Sequence, residues 1–221
     1  MTDQEIFSRI DHTLLKAAST WEGIAKLCDE AVQYKTASVC IPPCFVKPVH
    51  EEYGNKVNIC TVIGFPLGYS ITAAKVLEAE RAILSGANEI DMVINIGDAK
   101  GGHFDWVREE IVLLRKAATG KILKVIIEAC YLTEDEKIRL CEIVTDAEAD
   151  YIKTSTGFGT AGASLEDVAL FKKHIGPRVK IKAAGGVKTR DDLVQFIEAG
   201  ASRIGTSSAV SLLAGGGTTG Y

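Results

Sequence analysis

Eight times along the chain a short strand-like run is followed by a helix-like run, and this regular alternation limits the fold more than any other feature. The strand-like runs are predicted at Ile10–Leu14, Ala37–Ile41, Val57–Ile63, Glu89–Ile94, Ile122–Glu128, Tyr151–Thr154, Val179–Ala183 and Ser202–Gly205. The helices between them are predicted at Thr20–Tyr34, about Phe45–Tyr53, Ile71–Leu84, Phe104–Ala118, Thr133 to about Asp146, Ser164 to Gly176-Pro177, Thr189 to about Ala199, and Ser207–Leu213. Local chemistry supports the boundaries. Pro42-Pro43 closes a strand, because a helix interior does not tolerate it, and Thr133-Glu134-Asp135-Glu136 reads as a capping box. Alternating β and α units imply a parallel sheet. Eight units in 221 residues fit a closed (β/α)₈ TIM barrel of the α/β class, a single domain spanning residues 1–221. An open doubly wound sheet is the alternative; eight is the number that closes a barrel. The Gly/Thr-rich stretch at about 214–221 is expected to be a mobile tail.

Side chains alternate across a strand, so each run can be sorted into a face toward the helices and a face toward the lumen. In Val179–Ala183 the apolar residues share one face, which turns Lys180 and Lys182 inward. The same reasoning turns Glu89 and Asp91 inward, places Lys124 with Glu128, sets Asp11 and Thr13 opposite Ile10 and His12, and groups Cys40 with Ser38. Barrel chemistry sits at the C-terminal strand ends, where Asp11, Cys40, Asp91, Glu128, Lys153 and Lys182 are expected. Buried charges must pair. Glu89, Lys124 and Lys180, deeper in the barrel, are expected to form a structural ion-pair layer. If Asp91 pairs with one of the two upper lysines, the other is depressed by its cationic neighbour. A desolvated Lys153 would offer a free amine able to form a Schiff base; a strand-end lysine reaching solvent is the plainer alternative.

Two loops point to an anion. Ala183-Ala184-Gly185-Gly186-Val187 follows the seventh strand, and Ile204-Gly205-Thr206-Ser207-Ser208 leads the eighth into a helix. Phosphate sites of such barrels use these two loops, where glycines allow close backbone approach. A small phosphorylated sugar or aldehyde is the implied ligand. A net charge of −4 with both signs interspersed argues against a nucleic-acid or anionic-membrane partner. No apolar run approaches the ~20 residues of a membrane span, and the polar N-terminus lacks a signal-peptide core. A cytoplasmic protein is expected. Its six cysteines show no CxxC pair and its four histidines are scattered, so reduced thiols and no metal are expected.

IDHTLL, VCIPP, GFPLG, EIDMVINIG, YIKTSTGF, KAAGGVKT and RIGTSS, in this order along essentially the whole chain, resemble the deoxyribose-phosphate aldolase family of the bacterial type. The resemblance implies a class I aldolase without metal or cofactor. Such enzymes split 2-deoxy-D-ribose 5-phosphate into D-glyceraldehyde 3-phosphate and acetaldehyde. It implies Lys153 as the Schiff-base nucleophile, Lys182 as the second lysine, and Asp91 as a proton-shuttling carboxylate. Asp11 and Thr13 would line the sugar side, and Gly157, Gly185, Gly186, Gly205, Ser207 and Ser208 the phosphate. Tyr221 resembles the family's terminal tyrosine, which assists proton transfer. The family habit implies a homodimer or higher homo-oligomer. Cys40, facing the lumen, is expected to be a place where an unsaturated aldehyde could add. Phe158 is a departure: some members carry a phosphate-touching lysine there.

Overall fold

The computed structural model describes residues 1–215. Eight parallel strands close a barrel in sequence order: β1 (Ile10–Thr13), β2 (Ser38–Ile41), β3 (Ile59–Ile63), β4 (Glu89–Val93), β5 (Ile122–Ile126), β6 (Tyr151–Lys153), β7 (Lys180–Ala184) and β8 (Arg203–Thr206), with β8 paired back onto β1. Around them run α1 (Asp3–Phe7), α2 (Trp21–Tyr34), α3 (Val46–Tyr53), α4 (Thr72–Leu84), α5 (Ile96–Lys100), α6 (Phe104–Ala117), α7 (Glu134–Asp146), α8 (Leu165–His174), α9 (Arg190–Ala199) and α10 (Ala209–Ala214). The expected (β/α)₈ barrel is the observed fold, and the open sheet is not.

The predicted caps form. Thr133 and Glu136 make a reciprocal capping box at α7, and Ser164 accepts from the Asp167 amide at α8. The outward strand residues Val39, Ile41, Ile90, Met92, Val125, Ile152 and Ala183 are fully buried against the helices, in one continuous apolar shell. This shell carries most of the hydrophobic stabilisation. The lumen is a different environment. A small apolar group of Leu15, Cys40, Cys60 and Val62 adjoins a cluster of buried charges.

Several expectations need correction. The short helix α1 was not expected; Thr2 and Glu5 form its capping box, and Phe7 stacks on Tyr34 at 4.8 Å. Helix α5, capped by Asn95, was also not foreseen. Strand β5 ends at Ile126, and Glu128 adopts a left-handed backbone (φ 52°), so Glu128 does not continue the face that carries Lys124. Lys180, at the entrance to β7, is exposed rather than part of the deep ion-pair layer; its ammonium stands 5.7 Å from the Tyr151 ring centre. Ala214 closes α10 rather than opening a tail, and residues 216–221, including Tyr221, lie outside the described residues.

Candidate active site

Asp91 lies at the centre of the lumen because the alternation of β4 turns it inward and away from Ile90 and Met92. Register places Lys153 of β6 opposite Lys182 of β7. Both ammonium groups reach the same Asp91 oxygen, Oδ2, at 2.7 Å and 2.6 Å. Lys182 also contacts Asp11 Oδ2 at 2.5 Å. Asp91 Oδ1 accepts from Lys124 at 3.0 Å and from the Cys60 thiol at 3.1 Å. Lys124 pairs with Glu89, and Arg203 joins Asp11 at 2.5 Å and Glu89 at 3.3 Å. The expected deep layer therefore forms with Arg203 in place of Lys180. It is also continuous with the upper charges, since Lys124 belongs to both.

Each group feels two opposing effects. Burial alone would raise the Asp91 pKa, but Lys124, Lys153 and Lys182 hold it well below the usual carboxylate range. Asp11 is likewise held down, with Lys182, Lys124 and Arg203 overcoming its burial. Burial would lower the Lys182 pKa, yet Asp11 and Asp91 raise it above the ordinary lysine value. The expectation that one lysine is left over must be revised, because both share one carboxylate oxygen. The charges are unequal, however. Asp11, Glu89 and Asp91 face Lys124, Lys153, Lys182 and Arg203, an excess of one cation. Among the described residues Lys153 has a single acid partner, and it lies nearest the opening, 3 % exposed where Lys124 and Lys182 are sealed.

Above this cluster opens a cavity of about 670 Å³ at the C-terminal end of the barrel. Lys153 is in its wall, with Thr13, Gly157, Gly185, Gly186, Gly205, Ser207 and Ser208. These residues, chosen from four separate stretches of sequence, are thus brought together. Asp11, Cys40, Asp91 and Lys182 sit beneath the wall, fully buried. Gly185 and Gly186 both have left-handed backbones, at φ 73° and 78°, which favour glycine. Gly205 is needed for space: a Cβ there would stand 3.1 Å from Lys182 Cε.

Sequence reasoning missed Cys60, Arg203, Thr156 and Lys188. Cys60 was hidden because Ile59, Val62 and Ile63 put apolar residues on both faces and the strand's one hydroxyl, Thr61, lies on the face opposite Cys60, so parity gave no signal for it. Arg203 opens a four-residue strand and was not sorted to a face; its pairing with Lys182 turns it inward. Thr156 and Lys188 line the cavity from loops, where no periodicity applies. Phe158 closes one side, its ring edge-on to Phe65 at 5.3 Å. Cys40, Cys60 and Asp91 offer ligand atoms within 4.8 Å of one another, but each Asp91 oxygen is already held by an ammonium group.

A closed barrel with a lysine–carboxylate cluster under a glycine-lined mouth is an arrangement able to carry covalent amine chemistry on a carbonyl. Residues 6–215 match the family model described as DeoC/LacD family aldolase, and the chain belongs to that family. A deoxyribose-phosphate aldolase of Clostridium botulinum (strain Alaska E43 / Type E3) is 62 % identical over 221 residues, covering all of both chains. That of Clostridioides difficile (strain 630) is 58 % identical, over 99 % of this chain and all of its own. A solved tetrameric deoxyribose phosphate aldolase from Aeropyrum pernix superposes with a TM-score of 0.89 at 32 % identity, over 96 % of this chain and 91 % of its own.

Proposed function

We propose that the protein reversibly cleaves 2-deoxy-D-ribose 5-phosphate to D-glyceraldehyde 3-phosphate and acetaldehyde through a Schiff base on Lys153, in deoxyribonucleoside catabolism. The observation that carries this reading is the position of Lys153: its Nζ lies at the cavity floor, 2.7 Å from an Asp91 oxygen that Lys182 also binds at 2.6 Å. Of the lysines in this cluster, Lys153 is the one in the cavity wall, where an amine can meet a carbonyl. The neutral amine attacks the C1 aldehyde of the open-chain sugar, and loss of water leaves an iminium. A base removes the C3 hydroxyl proton. The C2–C3 bond breaks, its electron pair moves toward the iminium nitrogen, and glyceraldehyde 3-phosphate departs. The enamine left behind takes a proton at C2, and water then releases acetaldehyde and the free amine.

Lys182 and Asp91 are the proposed proton carriers. Lys182, held cationic by Asp11 and Asp91 against the effect of burial, carries the proton to be passed, and Asp91, held ionised, can accept one and return it. Asp11 holds Lys182 in place and is itself fixed by the Ser38 hydroxyl at 2.6 Å. The loops bearing Gly157, Gly185, Gly186, Gly205, Ser207 and Ser208 receive the phosphate, and Thr13 lies on the sugar side of the same wall. Tyr221, outside the described residues, is proposed as a further proton donor on the family resemblance alone. Among the described residues no helix is long and apolar enough to cross a membrane, consistent with the proposed cytoplasmic location. The tetrameric relative supports a homo-oligomer.

The test is reduction with borohydride in the presence of acetaldehyde, followed by peptide mapping. A two-carbon adduct on Lys153 is expected. An adduct on Lys182 would reverse the two roles, and no adduct on folded protein would remove the Schiff-base mechanism.

A further inference from the structure

Glu128 is a buried carboxylate that the proposed mechanism does not use. It is 2 % exposed, and among the described residues no cation pairs with it. Its backbone is left-handed (φ 52°), which L side chains rarely adopt. Lys35 and Glu148 share that conformation, but both are exposed and follow the ends of helices. An unusual conformation held in a buried residue beside a cavity is a pointer to function.

The carboxylate is spent entirely on Thr156, three residues beyond Lys153. Oε1 accepts from the Thr156 amide at 3.1 Å, and Oε2 accepts from the Thr156 hydroxyl. With its proton so committed, the hydroxyl oxygen accepts from the Phe158 amide at 3.0 Å. The chain then returns over Glu128 so closely that a Cβ on Gly159 would stand 3.1 Å from Glu128 Cδ. On either side of Glu128, the Ile127 and Ala129 amides donate to the carbonyls of Lys153 and Thr154, at 3.1 Å and 2.8 Å. The amides of Thr156 and Phe158 are therefore both occupied. Gly157 lies between them, in the cavity wall, with a left-handed backbone (φ 87°) and no hydrogen bond to its amide among the described residues.

We infer that Glu128 is a positioning residue for phosphate recognition: acting through Thr156, it withdraws the flanking amides and leaves the Gly157 amide for the substrate's phosphate. The inference rests on the proposed reading of the loops after β6, β7 and β8 as the phosphate site. It explains why a carboxylate stands behind an anion-binding loop. Its two oxygens are taken up by two donors of the loop itself, and those donors are the ones that would otherwise compete for the phosphate.

The measurement is the ratio of kcat/KM for 2-deoxyribose 5-phosphate to that for unphosphorylated 2-deoxyribose. In Glu128→Gln one oxygen can still accept from the Thr156 amide, but the NH₂ group meets the Thr156 hydroxyl and reverses its proton. The ratio is expected to fall about tenfold, the effect of one hydrogen bond to an anion. The fall should appear in KM for the phosphorylated sugar. Thr156→Val should reproduce it, the double variant should be no worse than either single one, and Thr156→Ser should retain the parent ratio. Equal losses on both sugars in Glu128→Gln and Thr156→Val would overturn the inference in favour of a scaffold role, and so would an unchanged ratio. A parent that does not prefer the phosphorylated sugar would overturn the phosphate-site reading itself, and this inference with it.

Discussion

Asp91 offers two oxygens to three ammonium groups, Lys124, Lys153 and Lys182, and to the Cys60 thiol. Removing its charge leaves Lys124, Lys153, Lys182 and Arg203 facing only Asp11 and Glu89 among the described residues of the lumen. Breaking a buried ion pair by deleting one partner costs about 3–5 kcal/mol, and Asp91→Asn is expected to lose stability in that range by urea unfolding. A loss below ~1 kcal/mol would mean the lysines find other partners. The two upper lysines should separate by activity. Lys153→Ala is expected to abolish turnover, because no nitrogen remains to form the iminium. Lys182→Leu should lower kcat by ~10²–10⁴, the usual weight of a positioned proton donor. An unchanged kcat in either would remove that residue's role. Strand parity was enough to turn Asp11, Asp91 and Lys182 into the lumen from sequence. It could not place Cys60, whose strand carries its one hydroxyl, Thr61, on the opposite face, nor show that one carboxylate oxygen serves two lysines.

The loop between β3 and α4 illustrates how an element shapes the site wall. Gly64 and Gly68 both have left-handed backbones, and the Gly68 amide closes the turn onto the Gly64 carbonyl at 2.8 Å. Phe65, carried on this turn, packs against the lumen group of Cys40, Cys60 and Val62 and meets Phe158 edge-on. A Cβ on Gly68 would stand 1.9 Å from the Ile94 carbonyl oxygen, whereas one on Gly102, at nearly the same φ (77° against 74°), meets nothing within 4 Å. Gly102→Ala should thus cost only the left-handed penalty, about 1–2 kcal/mol. Gly68→Ala should cost a further ~1–3 kcal/mol for overpacking. Equal losses in thermal unfolding would show that the turn shifts to absorb the methyl. The strands and long helices were legible because their periods repeat several times. Helices α1 and α5 span five residues each, too few for a 3.6-residue period to register. The left turn at Glu128 escaped because nothing in Ile126-Ile127-Glu128 forbids another residue of strand.

At the scale of the whole molecule, the barrel separates an apolar shell from a charged interior, and the interior makes stability depend on pH. Asp11 and Asp91 are held below their ordinary pKa by the lysines and by Arg203, although burial opposes this. An unfolded chain carries these carboxyls near ~3.9, so in acid it binds more protons than the folded barrel does. Their stabilisation is complete above about pH 5 and is lost as pH falls through the depressed folded values. Lys124 and Lys182 have the opposite sign: raised in the folded state by the carboxylates despite burial, they stabilise below about pH 10 and lose this as pH rises further. A plateau of stability between these limits is expected. Each depressed carboxyl steepens the acid limb by up to about 1.4 kcal/mol per pH unit. Asp11→Asn should therefore start less stable at neutral pH, with Arg203 and Lys182 short of a partner, and lose less than the parent between pH 5 and pH 3. Urea unfolding at several pH values compares the two slopes. Parallel limbs would mean that Asp11 titrates alike in both states and that the lumen charges do not govern the acid limit of the fold.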